Sequence, residues 1–529
     1  MYSLISLLAM LAACWGGDEP ESPSLPKREF RATWVATAYN IDWPSAKGLS
    51  SEAQRAEFLR LLDQQQALGM NAVVVQVRAA GDALYPSELV PWSAFLTGTQ
   101  GQAPEPYYDP LQFMIEACHA RNLEFHAWFN PFRGISHLRF SSVADHNPAR
   151  VHPEWTFQYG ETRYFDPGVP EVRDHLVAVV CEVLRRYDVD GIHFDDYFYP
   201  YRRNGRPIPD DATFARHGQG YQDRAAWRRE NIDRFIARVA DSVAALRPEV
   251  KLGVAPVGIW RNQAQDPLGS NSNVDQTAYD VLHADVRKWL QLGWIDYVAP
   301  QLYWSTEHPR ANYAELLPWW AQNSFGRHLY VGQALFKFKK EAQHRYWADA
   351  QQLPLQLALN LRYPEVQGSI FYSANTLRDH GSEVQHLLGQ GHFRHRALIP
   401  PMLWKDSIPP LAPSHLSIEA HAQGIALQWQ PSDTAADGQG ARYYVVYRFA
   451  QGVATDLQNP QFIQATLRDT AFVDTQIDPT QNYTYLVTAC DRLHNESRTC
   501  AAVVWTAPNR ANTKAHLRKA PLTSPAVTD

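Results

Sequence analysis

Between residues 30 and 390, short apolar runs of strand type alternate with longer stretches of helical period. The runs fall at 31–37, 72–77, 124–129, 191–195, 251–255, 297–301, 329–332 and 369–372, rich in β-branched and aromatic residues. Amphipathic stretches separate them at 51–68, 111–121, 172–187, 224–246, 279–292, 312–323, 341–360 and 376–388. Ser50-Ser51-Glu52 supplies cap chemistry for the first helix, and Asp109-Pro110 puts proline in the first turn of the second. Eight β–α units over about 360 residues predict a (β/α)8 barrel with long insertions. A doubly wound open sheet is the alternative. It is disfavoured because no glycine-rich phosphate loop follows the first strand.

The texture changes at Pro400-Pro401, Pro409-Pro410 and Pro413. Beyond them come short alternating runs at 425–429, 443–448, 482–488 and 501–505, the pattern of a β-sandwich. Its Trp429, its tyrosine pairs and the run Asn482-Tyr-Thr-Tyr-Leu-Val-Thr-Ala resemble a fibronectin type III module. The domain reading is a barrel at 28–398, a Pro-rich linker at 399–411, a sandwich at 412–507 and a disordered tail at 508–529. A stiff linker between two cores predicts separable units, so removing the chain from Leu411 onward is expected to leave the barrel's own function largely intact.

Composition narrows the function. Apolar residues at 45% and charged residues at 20% describe a globular protein of two or three domains. The net charge of −6 is mild, with no Lys/Arg stripe, which argues against a nucleic-acid partner. Seventeen Trp and twenty-five Tyr offer flat rings suited to sugar faces. At the start, residues 4–13 form an uncharged apolar run of signal-peptide length, too short to span a bilayer. It ends in Leu11-Ala12-Ala13-Cys14, which resembles a bacterial lipobox in which the cysteine is lipidated. A tether at 15–27 follows, and no later apolar stretch reaches membrane-spanning length, so the expected attachment is by lipid alone. Trp15 rather than Asp fits, by the same resemblance, an outer-membrane lipoprotein facing the periplasm. Cys118 and Cys181 sit among apolar neighbours as core residues. Cys490 and Cys500 flank a predicted hairpin and are candidates for a disulfide in an oxidising compartment.

A barrel builds its site at the C-terminal ends of its strands, and side chains alternate in direction along each strand. Gln76 and Arg78 share one direction in the second strand, His126, Trp128 and Asn130 in the third, His193, Asp195 and Tyr197 in the fourth, and Gln301 and Tyr303 in the sixth. The opposite face is apolar, so the polar face is read as the barrel's mouth. Within Asp190-Gly-Ile-His-Phe-Asp-Asp-Tyr-Phe-Tyr-Pro200, two consecutive carboxylates end a strand, an arrangement that is costly unless paired or functional. Glycoside hydrolysis needs one protonated and one ionised carboxyl at the scissile bond, which makes Asp195 and Asp196 the catalytic candidates. A structural reading makes Asp196 a loop cap and Asp195 an acceptor for Arg78. Asp82, Glu88, Asp166 and Glu307 are loop acids from which a second carboxylate on another element would come. Arg78, Asp82, His126, Asn130, His193, Tyr197, Gln301, Tyr303 and Trp304 are the candidate substrate-binding residues. Tyr199 and Trp92 are further loop aromatics, whereas Trp319-Trp320 reads as helix packing. His126 and His193 lack His-x-His or His-Glu-x-x-His spacing, so no metal or other cofactor is implied. No serine elbow appears.

Arg31-Ala-Thr-Trp-Val, Gln76-Val-Arg-Ala-Ala-Gly-Asp82-Ala-Leu-Tyr-Pro-Ser, Pro91-Trp-Ser, His126-Ala-Trp-Phe-Asn-Pro-Phe-Arg133, His193-Phe-Asp-Asp-Tyr-Phe-Tyr-Pro200 and Ala299-Pro-Gln-Leu-Tyr-Trp304 stand in order along the chain. Together they resemble the glycosyl-hydrolase-10-like lipoprotein family over about residues 28–388. The resemblance implies a (β/α)8 barrel, export as a lipoprotein and glycosidase activity. The family includes a hydrolase of peptidoglycan glycan strands stripped of their stem peptides. Asp190-Gly and Asp195 are also similar to the fourth-strand acid motif of chitinase-like barrels, but the catalytic Glu of that motif falls at Tyr197. Two other classes compete with the hydrolase: a glycan-binding lipoprotein that holds without cutting, and a metal-dependent hydrolase or deacetylase, which loss of activity in EDTA would reveal.

Overall fold

A computed structural model of the protein describes residues 25–139, 142–337 and 351–507. The signal, Cys14 and most of the tether lie outside them, as do the tail at 508–529 and residues 341–350 of the seventh expected helix. Eight parallel strands pair in chain order: Phe30–Val35, Ala72–Arg78, Glu124–Phe129, Gly191–Phe194, Lys251–Val254, Tyr297–Val298, His328–Gln333 and Val366–Phe371. They close into a barrel where Phe30 lies opposite Gly368.

Helices Ser51–Ala67, Pro110–His119, Pro170–Arg186, Arg224–Leu246, Val286–Gln291, Tyr313–Gln322, Gln352–Asn360 and Ala374–Val384 follow the strands in turn. The caps act as their chemistry requires: Ser50 accepts from the Ala53 N–H, and Asp109 accepts from the Gln112 N–H ahead of Pro110. The fifth helix starts later than its apolar period suggests, because Asp285 accepts from the Lys288 N–H and fixes the first turn there.

Strand alternation sorts the core into two shells. Val73, Val75, Phe125, Ile192, Phe194 and Val254 point outward under the helices. Phe30, Trp34, Val74, Trp128, Tyr297, Tyr330 and Ile370 fill the interior. Large interior rings need gaps opposite them. A Cβ on Gly253 would lie 2.0 Å from Tyr297 Cζ, and one on Gly191 would lie 2.5 Å from His126 Nδ1. Neither position admits a side chain.

The C-terminal region is a two-sheet antiparallel sandwich. One sheet orders Ser414–His421, Gly424–Gln430 and Ala471–Asp474, and the other orders Ile463–Leu467, Tyr443–Ala450, Tyr483–Cys490 and Ala501–Trp505. Three of these seven strands escape the hydrophobic pattern. Ser414–His421 is largely exposed, and Ile463–Leu467 and Ala471–Asp474 are short and half-buried.

The sandwich is not a free unit on a spacer. Ile399 and Met402, in the Pro-rich segment, enter the interior cluster of the barrel. Trp404 and Lys405 follow and bond Asp296, at 2.9 and 3.0 Å. Arg442 and Arg492 of the sandwich pair with Asp188 at 3.0 and 2.6 Å, just before the fourth barrel strand. His494 donates to Glu124 at 2.7 Å, and Glu496 pairs with Lys27 at 2.6 Å. The N-terminal face of the barrel is therefore covered by linker and sandwich together. Cys490 and Cys500 are free thiols rather than a bridge. Cys490 is buried beside Tyr443 in the cluster that also holds Leu398, and Cys500 only reaches its edge. Cys118 and Cys181 are buried, as their neighbours suggest.

Candidate active site

The inward faces stack in layers from the covered end to the open one. At the bottom, Lys251 donates to Glu124 at 2.5 Å, alongside the bond from His494. Burial alone would raise the carboxyl of Glu124, but Lys251 and His494 hold it well below the ordinary range. One layer up, His126 bonds Glu124 at 3.0 Å and the Tyr297 hydroxyl at 2.8 Å. Above it, His193 meets the same hydroxyl at 2.9 Å, and the indole of Trp34 donates to His193 Nε2 at 3.1 Å. One set of tautomers satisfies the whole relay. His193 Nδ1 donates to the Tyr297 oxygen, the Tyr297 hydroxyl donates to His126 Nδ1, and His126 Nε2 donates to Glu124. Burial holds His193 well below the ordinary histidine range, so it is neutral, as the relay requires.

The top layer opens onto a cavity of about 340 Å³ lined by Asp195 and Asp196. Both follow the last residue of the fourth strand, and each is 4% exposed. Trp34, Trp128, Tyr197, Tyr201, Tyr303 and Tyr372 supply aromatic walls. Asp195 Oδ2 accepts from Trp128 Nε1 at 2.9 Å and Asn130 Nδ2 at 3.2 Å, and its Oδ1 accepts from the Tyr197 N–H at 3.3 Å. Burial and the neighbouring charge of Asp196 push the Asp195 carboxyl up to about 7, against these donors and Arg133. Asp196 accepts from the Tyr201 hydroxyl and lies by the Gln301 amide, yet burial raises it too. The pair is thus fixed in direction and close to sharing one proton near neutrality.

The structure brings Asp195, Asp196, Tyr197, Gln301 and Tyr303 to the cavity and sets Asn130 against Asp195. His126 and His193 face inward as alternation requires, but they sit in the layers below. Arg78 is a correction. The second strand shifts register between Gln76 and Arg78, so Arg78 lies opposite Phe129 rather than on the inward face. It donates to the Asn130 and Pro131 carbonyls at 2.6 and 2.9 Å and faces Phe165 under the helices. Asp195 is therefore not its acceptor. Asp82 is buried away from the cavity, where the Gln100 amide donates to it at 3.3 Å. Trp304 packs against the outer apolar shell, and its carbonyl accepts from Gln356. Asp166 is tied to Thr213 and the Gly168 N–H. Asp82, Glu88, Asp166 and Glu307 are all absent from the cavity lining, and Asp195 and Asp196 are its acids among the described residues.

Trp128 lines the cavity as its inward direction on the third strand predicts, whereas Trp34, Tyr201, Tyr372 and Arg133 are site residues that the sequence reading did not single out. Trp34 shares the direction of Phe30 and Ala32, and Tyr372 directly follows the eighth strand, so the alternation used on four strands finds them when applied to the first and last. Arg133 lies on the rim, its guanidinium 4.6 Å over the Tyr197 ring. Its one sequence-level signal is its place at the end of a motif block.

Residues 29–349 match the family described as Glycosyl hydrolase-like 10. The chain is 41% identical over 479 residues to "Glycosyl hydrolase YngK" of Bacillus subtilis (strain 168), covering 89% of this chain and 92% of that one. It is 37% identical over 384 residues to "Glycosyl hydrolase DigH" of Escherichia coli (strain K12), covering 68% of this chain and 87% of that one. Among solved structures, the glycoside hydrolase domain of PgaB (BpsB) from Bordetella bronchiseptica aligns with 68% of this chain and 98% of that one, at 15% identity and a TM-score of 0.45.

Proposed function

The chain belongs to the glycosyl hydrolase-like 10 family, and from that premise we propose that it is a glycoside hydrolase cleaving peptidoglycan glycan strands that lack stem peptides. The observation that carries this reading is the Asp195–Asp196 pair at the open end of an aromatic-walled cavity. Aromatic rings stack on sugar faces, and a carboxyl held up to about 7 retains a proton to give. Asp195 gives that proton to the glycosidic oxygen as the C–O bond breaks. Asp196, ionised, faces the positive charge that develops on the sugar ring, and a water molecule completes the hydrolysis by adding its oxygen to the anomeric carbon and giving up a proton to the carboxylate pair. Trp128, Asn130 and the Tyr197 N–H hold Asp195 in place, and Tyr201 holds Asp196.

Location and the smaller domain belong to the same reading. The lipobox-like Leu11-Ala12-Ala13-Cys14 supports lipidation at Cys14 and a place at the outer membrane facing the periplasm. Seven strands in two antiparallel sheets support a fibronectin type III-like module. Incubating the protein with purified glycan strands, with and without stem peptides, and weighing the products by mass spectrometry tests the activity. Short oligosaccharides from the bare strands are expected. Strands that bind but stay whole would favour a glycan-binding role instead.

A further inference from the structure

Arg133 is a cation beside the site without an assigned partner. Its backbone N–H bonds Asn130 Oδ1 at 3.3 Å, which anchors the residue one turn of chain past Asn130. Its guanidinium lies over Tyr197, a cavity residue, at 4.6 Å, and makes no ion pair or hydrogen bond among the described residues. Its charge reaches both Asp195 and Asp196, which places it at the rim of the cavity rather than on a remote surface. An unpaired, half-buried guanidinium resting on an aromatic face is oriented for a planar anion.

A muramic acid residue offers such an anion. Its lactyl ether ends in a carboxylate when the stem peptide is gone, and in an uncharged, bulkier amide when the peptide is present. We propose that Arg133 is a specificity residue that binds the free lactyl carboxylate of a muramic acid sugar next to the scissile bond. The inference rests on the peptidoglycan reading above and gives it a physical basis: the rim favours stripped strands because only they carry the charge.

The test uses the full chain and its Arg133→Gln and Arg133→Lys variants. The substrates are bare glycan strands, the same strands with the lactyl carboxyls converted to methylamides, and chitooligosaccharides, which have no lactyl group. Loss of a charge-assisted bond of this kind corresponds to roughly 10- to 100-fold. The wild type is expected to show that rise in KM on the methylamide strands. Arg133→Gln is expected to show it on bare strands, with no further rise on methylamide strands and little change on chitooligosaccharides. Arg133→Lys should recover part of the loss. If Arg133 only tunes the aspartates, the variant shifts the pH profile equally on every substrate and the bare-to-methylamide ratio stays at its wild-type value, which overturns the inference. Calorimetric binding of the muramic acid disaccharide and its methylamide gives a readout independent of turnover. Absence of cleavage by the wild type sinks the hydrolase reading, whereas equal binding of the two disaccharides by the wild type sinks the role of Arg133.

Discussion

Asp195 and Asp196 are buried neighbours whose charges repel, so one proton stays on the pair near neutrality. The consequence is a pH profile with a definite sign. Asp195 must be protonated to act as acid, and with its carboxyl at about 7 the rate is expected to fall as pH rises through that value. On the other side the rate falls as Asp196 takes up a proton, at a pH above the ordinary aspartate value of 3.8 because burial raises it. A plot of kcat/KM against pH on bare strands checks both limbs. An alkaline limb far above 7 would move the acid role to another group. The relay beneath has its own test at Tyr297. Removing its hydroxyl leaves His126 Nδ1 without a donor and His193 Nδ1 without an acceptor. Each stranded buried group costs about 1–3 kcal/mol. Tyr297→Phe is expected to lower the stability measured in urea by that order. Unchanged stability would mean that the relay is not formed.

At the scale of elements, alternation along the strands made the mouth of the barrel legible, because a strand carries only two directions and one of them was apolar. The reading held for Asn130, Asp195, Gln301 and Tyr303. It failed at Arg78, where one extra residue in the second strand reverses the direction, and nothing in Gln76-Val-Arg78 announces a bulge. His126 and His193 show a different limit. Alternation tells inward from outward but not depth, and both lie below the cavity, where each bonds the Tyr297 hydroxyl and the gap at Gly191 receives His126. The expected helix at 279–292 shortens to Val286–Gln291, and the sixth strand shrinks to Tyr297–Val298. In the latter case Gln301 touches its neighbours Val257 and Gly332 only through isolated bridges.

Across the whole molecule, the sandwich and the Pro-rich segment close the end of the barrel opposite the site. His494 reaches Glu124, the bottom of the relay that ends at Trp34 in the cavity wall. Removing residues 412–507 takes away that bond and two arginine partners of Asp188, Arg442 and Arg492, and uncovers apolar surface around Leu398. The truncated barrel is expected to be insoluble or much less stable, as read by its thermal midpoint. His494→Ala alone is expected to cost about 1.5–3 kcal/mol, the range for a hydrogen bond to a charged group. A soluble truncated barrel with an unchanged midpoint would show that the two cores are separable. Tyrosines and arginines of the sandwich gave no hint of this in the sequence, because a docking face looks like any half-polar strand until its partner is known. For the proposed anchor, Cys14→Ser is expected to move the protein from the membrane pellet to the soluble or unprocessed fraction, and unchanged fractionation would contradict lipidation. If Asp195 is the acid of a glycosidase, Asp195→Asn removes the proton that the leaving oxygen needs. Release of reducing ends from bare glycan strands should fall by about 10²–10⁴-fold in this variant, the usual worth of a positioned acid. The thermal midpoint of the same preparation should be nearly unchanged, since the amide keeps the shape of the protonated carboxyl that Asp195 carries near neutrality. Normal release by a folded variant would contradict the assignment, and an unfolded variant would make Asp195 a structural residue.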